Sequence, residues 1–246
     1  MVCCLLSLSA MAQSWVDITD DMMVNPRVES NANGWTVGVS GAVNKGYQAN
    51  WNGYVNAAEG VTIYQFVDAW RPANEGVLGD GWIYQTVMMP KGKYRLSAAG
   101  IASQQRDASV QPKGAYLYAD TDGSAWIAKT PMSTADGKPR HFELVFERSE
   151  DANINMGVMV VGKESNTNWI AATNFKLEVA AESYVALKAL TVTPSSSKLA
   201  PGEKGQLTVG FTPSNATVRR CFFRSSDEKV AKVDADNVRE LVALIK

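Results

Sequence analysis

The chain of 246 residues carries one histidine and three cysteines, and each scarcity removes chemistry. His141 stands between Arg140 and Phe142, where strand alternation turns it toward solvent. No Ser-His-Asp order and no His or Cys ligand spacing accompanies it, so triad hydrolysis and a resident zinc are left without material. Charge is balanced, 24 basic residues against 25 acidic ones, and no basic block occurs. The electrostatic footprint of a nucleic-acid or anionic-lipid partner is therefore missing. Long helical periodicity is missing too, and after the first thirteen residues no apolar run is long enough to cross a bilayer.

Residues 1–13 hold an apolar run that ends in Ala10-Met11-Ala12, which fits a secretory signal cleaved near Ala12 or Gln13. The alternative is a short buried N-terminal strand. No Lys or Arg precedes the run, so a basic segment is expected upstream of Met1. Cys3 and Cys4 leave with the signal, and they sit too early to be a lipid-attachment cysteine. Cys221 then remains alone, and no internal disulfide can form. In Arg220-Cys221-Phe222-Phe223 it reads as a small buried hydrophobe. Export without disulfides fits a secreted, periplasmic or cell-surface protein of a Gram-negative bacterium whose cores need no staples.

What is present is a core-sized supply of apolar residues, 46% of the chain, arranged in short alternating runs. Ile83 to Ala99 reads as a strand, a tight turn over Pro90-Lys91-Gly92 and a second strand, a hairpin with Tyr94, Leu96 and Ala98 on one face. Ile63 to Trp70, Ala115 to Ala119, Phe142 to Glu147, Ile154 to Val161 and Phe175 to Val179 read likewise as strands. Phe142, Leu144 and Phe146 alternate with His141, Glu143, Val145 and Glu147, the pattern of a half-solvated antiparallel strand. Ser40 to Ala58 is rich in Gly, Asn and aromatics and reads as a loop. Eight to ten short strands separated by Gly, Asn and Pro turns predict an all-β sandwich over 14–180.

Within that stretch, Asn25-Pro26-Arg27-Val28-Glu29 with Gly34-Trp35, then Asp68-Ala69-Trp70, Tyr84-Gln85-Thr86, Pro90 to Leu96, Ala115 to Tyr118, Asn168-Trp169-Ile170 and Thr173 to Leu177, resemble the galactose-binding-domain-like jelly rolls of secreted Bacteroidetes proteins. The resemblance implies a jelly-roll sandwich of a kind that accompanies polysaccharide-handling proteins. It also implies structural roles for Trp35, Trp70 and Trp169. Calcium-bearing members of that family hold an ion partly through an acid at the place of Glu29 and an Asp at the place of Thr173. Here the second position is Thr, which offers a neutral hydroxyl where a hard cation prefers an anion. Glu29 is thus the single side chain that supports calcium.

Ala180-Ala181-Glu182 reads as a junction, and a fresh strand pattern begins near Tyr184. Thr193-Pro194, Ala200-Pro201-Gly202-Glu203, Thr212-Pro213-Ser214-Asn215-Ala216-Thr217 and Ser225-Ser226-Asp227 before Val230-Ala231 resemble the bacterial Ig-like domain of group 2. That implies an Ig-like sandwich over 184–246 with Phe222 or Phe223 as its aromatic plug. Such a domain needs roughly 80 residues, so 184–246 is expected to be incomplete, with an open edge. Two readings stand: the domain is cut short there, or the Leu241-Val242-Ala243-Leu244-Ile245 tail substitutes as an edge strand or a short helix.

For function, paired carboxylates such as Asp68 with Glu75 or Asp80 are formally able to cleave a glycosidic bond, yet the same acids serve equally well as turn and surface residues. The chain is expected not to be an enzyme. Sugar binding has better material: all seven Trp precede the junction, and a sugar ring pairs a C–H face with an aromatic plane and hydroxyls with amide, acid or guanidinium groups. The expected ligand contacts are Trp51, Tyr54, Arg71 and Trp126. The reading is a non-catalytic carbohydrate-binding module of an exported protein. The competing class is an adhesion or structural module that uses the same exposed aromatics against a protein partner.

Overall fold

The computed structural model describes residues 13–105, 107–121, 126–221, 223–233 and 241–245. The expected signal and Phe222 lie outside the described residues. The first unit runs β1 (Trp15–Asp17), α1 (Thr19–Met22), β2 (Thr36–Val39), β3 (Asn44–Asn56), β4 (Val61–Trp70), β5 (Gly81–Met89), β6 (Gly92–Ser103), β7 (Ala115–Asp120), β8 (Trp126–Pro131), β9 (Arg140–Arg148), β10 (Ala152–Val160) and β11 (Trp169–Ala180). Two antiparallel sheets face each other. One has the order β3-β4-β11-β6-β9, with β1 on the far end of β11; the other has the order β2-β5-β10-β7-β8. The class is all-β, and this part is a jelly-roll sandwich.

The alternating residues of both sheets meet in one core. Tyr94, Leu96 and Ala98 of β6, Ile83 and Val87 of β5, Ile154, Met156 and Val158 of β10, and Leu177 and Val179 of β11 all belong to it. Their outward neighbours Arg95, Ser97 and Thr86 are partly or fully exposed, as period-two patterning demands. Trp35 is buried against Phe175 with ring centroids 4.3 Å apart, and its indole donates to the Asn25 carbonyl at 3.0 Å. Trp35 is structural.

Two expectations need correction. The strands on either side of Pro90 do not pair: β5 lies in one sheet between β2 and β10, and β6 lies in the other between β11 and β9. The turn is an arch that carries the chain across the sandwich. Both strands still present an apolar face to the same core, so their alternation is identical to that of a hairpin. The stretch Ser40–Ala58, expected as a loop, contains the 13-residue strand β3. Its polar residues are tolerated because β3 is an edge strand with one side open to water. Residues 50–53 leave the ladder: Ala49 pairs with Gln65 and Tyr54 with Ile63, so four residues stand opposite Tyr64 alone. Gly53 closes this bulge at φ +67°, where an added Cβ would lie 2.8 Å from the Tyr64 ring.

The second unit contains β12 (Ala189–Pro194), β13 (Lys204–Thr212), β14 (Ala231–Val233) and β15 (Leu241–Ile245) in one sheet of order β12-β13-β15-β14. The tail is therefore an inner strand, paired on both sides, and neither an edge nor a helix. Among the described residues of this unit only Ala216 and Thr217 are buried apart from solvent. Phe223 is half-buried and so is Cys221, whose thiol burial pushes up from its ordinary value; neither forms a sealed plug. Both buried residues sit beside the jelly roll. Val218 packs on its core, Thr217 exchanges hydrogen bonds with Val185, and Arg219 pairs with Asp151.

Candidate functional site

The outward face of the β3-β4-β11-β6 sheet is where polarity and apolarity are mixed in an unusual way. Three rows of cross-strand neighbours can be read from the register. Asn44, Trp70, Trp169 and Ser103 form one row; Gly46, Asp68, Ala171 and Ile101 form the next; Gln48 and Phe66 begin the third. Residues directly opposite on antiparallel strands share a face, so Asp68 is flanked by glycine on one side and alanine on the other. The missing side-chain volume leaves a pit above it. Gly46 holds φ +118° and an added Cβ there would touch nothing within 4 Å.

Around this floor stands a second, smaller apolar cluster that includes Phe66, Ile101, Trp169 and Ala171, with Tyr54 and Trp70 packed against it. The Tyr54 ring lies 5.0 Å from Trp169 and 5.8 Å from Phe66, in tilted arrangements; Phe66 meets Trp169 edge-on at 6.2 Å. Asn44, Gln48, Asn50 and Gln105 complete a cavity of about 220 Å³. Gln105 is held from two sides. Its backbone N–H donates to Asn168 Oδ1 at 2.9 Å and its side-chain oxygen accepts from the Trp70 indole.

Asp68 is the anomaly. It is 4% exposed, its Oδ2 accepts from the Trp169 indole at 3.1 Å, and its Oδ1 has no partner. Burial raises its pKa from 3.8 to about 7, against the opposing pull of the Trp169 bond. A buried carboxyl with one satisfied oxygen and one idle oxygen costs stability. Among the described residues, those lining the cavity include no Lys or Arg and no second acid. Neither Glu75 nor Asp80 reaches it, and Asp80 instead accepts from the Gly162 backbone at 2.7 Å. The carboxylate pair that cleavage requires is not assembled at this cavity.

The four expected ligand contacts fall in four places. Tyr54 lines the cavity. Trp51 rides on the β3 bulge beside it, 87% exposed, next to the lining residue Asn50 but not itself a wall. Arg71 turns away: its Nη1 reaches the Val77 carbonyl at 3.4 Å and it packs under Gly41. Trp126 stands on β8, at the edge of the opposite sheet, with Lys129 4.9 Å above its ring. Sequence reasoning missed Asp68, Trp70 and Trp169 as a group. The signal was present in Phe66-Val67-Asp68-Ala69-Trp70, since period two puts one acid between two rings on a single face.

Glu29 is exposed in a loop where Asn25, Val28 and Ser30 all hold positive φ. Thr173 donates its hydroxyl to the Arg27 carbonyl at 2.8 Å. With a hydroxyl proton where a second anionic oxygen is needed, the pair is a poor match to a hard cation. No group of three His, Cys, Asp or Glu among the described residues could hold a metal.

A larger cavity, about 310 Å³, opens between the jelly roll and residues 217–220. Its central amide is already spent, because Gln85 both donates to and accepts from the Val24 backbone. Arg219 on its rim is paired with Asp151. Met22, Val24, Val87 and Met88 supply the apolar part of its wall.

Comparison with known proteins bears on both units. Residues 186–239 match the bacterial Ig-like domain (group 2). No curated protein matches the chain. Among solved structures, the carbohydrate-binding module TmCBM61 in complex with β-1,4-galactotriose is 16% identical, covering 63% of this chain and 95% of its own, with TM-score 0.44. A cleaved adhesin domain of Lys-gingipain from Porphyromonas gingivalis is 13% identical over 67% of this chain and 99% of its own, with TM-score 0.43. The CBM22-GH10 modules of a Clostridium thermocellum xylanase, complexed with xylohexaose, are 13% identical over 69% of this chain and 30% of theirs, with TM-score 0.39. No helix among the described residues is long and apolar enough to cross a membrane.

Proposed function

We propose that the chain is a non-catalytic glycan-binding module of an exported protein, and that the Asp68 cavity is its binding site. One observation carries the reading: a buried carboxyl keeps an oxygen idle at the bottom of a pit walled by Tyr54, Phe66, Trp70 and Trp169. The rings suit the C–H face of a pyranose, the idle oxygen accepts from a hydroxyl, and four carboxamides at the rim supply further donors and acceptors. An unsatisfied buried acid is a stability cost that a ligand hydroxyl repays. The Asp68 carboxyl in the lining would repel a carboxylate, which favours a neutral sugar over an acidic one. Trp51, on the adjoining bulge, is proposed as a rim contact, and Arg71 and Trp126 are not.

The test is a glycan array on the full chain, followed by calorimetric titration of the strongest hit. Asp68→Ala is expected to weaken binding at least tenfold while Trp126→Ala leaves it unchanged. Equal affinity for wild type and a folded Asp68→Ala would overturn the site. No hit on the array would move the reading to the exposed aromatics and a protein-adhesion role.

A further inference from the structure

The Asp68 cavity has a neighbour. A second depression, about 250 Å³, has Ser103, Gln105, Ala135, Asp136 and Trp169 in its lining. Trp169 and Gln105 line both cavities, so one indole and one carboxamide form their common wall. Ser103 is the last residue of β6 and the direct cross-strand partner of Trp169, which puts its side chain on the same outward face. It is 2% exposed, and its Oγ is another buried oxygen without a partner. Asp68 on β4 and Ser103 on β6 are separated by β11. Two inter-strand steps across and two residues along put their Cα atoms roughly 12 Å apart.

We infer that the two cavities are consecutive subsites for a linear neutral oligosaccharide, one pyranose over Asp68 and the next over Ser103, linked across the edge of Trp169. The inference rests on the reading of the Asp68 cavity as a glycan site and extends it from a sugar to a chain of sugars. Among the described residues four buried side-chain atoms have no hydrogen-bond partner; the two that are oxygens, Asp68 Oδ1 and Ser103 Oγ, belong to residues that line two cavities sharing a wall. A single ring cannot span both, whereas two linked rings can. Gln105, clamped by Asn168 and the Trp70 indole, is placed to bond the linkage from either side. The loop behind the second subsite is also built in: Thr134 bonds both the N–H and the carbonyl of Ala102, at 3.0 and 2.9 Å, and Asp136 pairs with Arg140 at 3.1 Å.

The experiment is calorimetric titration of the full chain with mono-, di- and trisaccharides of the neutral gluco, galacto, manno and xylo series. In at least one series the disaccharide is expected to bind tenfold or more tighter than the monosaccharide. Ser103→Ala is expected to bring the disaccharide down toward the monosaccharide value while leaving the monosaccharide unchanged, and it should not lower the melting temperature, because it removes an unbonded buried hydroxyl. Ala135→Leu, which narrows the second cavity without touching Ser103, should have the same effect. Equal affinity for mono- and disaccharide, or a disaccharide affinity indifferent to both variants, would overturn the second subsite and leave the first standing. No binding in any series would overturn both readings together.

Discussion

Replacing Asp68 by Asn separates the cost of the buried acid from its geometry. The carboxyl holds its proton in the folded chain up to about pH 7, against an ordinary value of 3.8. Between these values the folded state binds one more proton than the unfolded state, so stability falls as pH rises. The contribution is intact below about 4 and lost above about 7. At roughly 1.4 kcal/mol per unit, the rise amounts to a cost on the order of 4 kcal/mol at pH 8. Asn is neutral throughout and keeps an oxygen for the Trp169 indole. Asp68→Asn is therefore expected to match wild type near pH 4 and to exceed it by several kcal/mol at pH 8, about 10 °C in melting temperature for a chain of this size. The assay is a pair of melting or urea series from pH 4 to 8. All other titrating groups are common to both proteins, so the difference curve belongs to Asp68. Parallel profiles, or a wild type that gains on Asn as pH rises, would refute the account of a desolvated, half-satisfied acid.

Other outcomes follow from the same contacts. Trp35→Ala is expected to cost about 3 to 5 kcal/mol of stability by chemical denaturation, since it opens a cavity against Phe175, and to leave glycan affinity unchanged. Arg95→Ala deprives the buried Glu178 of a partner at 2.7 Å, with Lys176 at 2.7 Å remaining, and is expected to cost about 1 to 3 kcal/mol; an unchanged melt would contradict it. Gly81→Val places a Cβ 2.3 Å from the Gly38 carbonyl and the Val39 Cα, so it is expected to detach β2 and expose its amides in hydrogen exchange. Asp151→Ala removes the ion pair to Arg219 and is expected to speed exchange in 216–220 before the rest of the second unit.

The all-β class and the inner faces of β6 and β9 were legible because alternation records which side of a strand meets the core. It does not record which sheet the strand joins. That is why the arch at Pro90 looked like a hairpin, and why Trp126, in the opposite sheet, was expected among the ligand contacts with Tyr54. The edge strand β3 escaped notice because its Asn and Gly residues, which signal turns, are tolerated where one side faces water. In the candidate site, Tyr54 was legible as an aromatic among amides. Trp70 and Trp169 were read as structural, and they are half so: each packs in the outer cluster and lines a cavity with what remains. The Asp68 pit depends on Gly46 and Ala171 standing beside it across two strand boundaries, a register that local pattern does not carry.

The most direct test of the central claim is a crystal structure of the full chain with the strongest glycan from the array. The account predicts a pyranose ring in van der Waals contact with Tyr54 and Trp70 and a hydroxyl donating to Asp68 Oδ1. A sugar seated on Trp126, on Trp51 alone or in the Asn25–Glu29 loop, with Asp68 Oδ1 still idle, would contradict it.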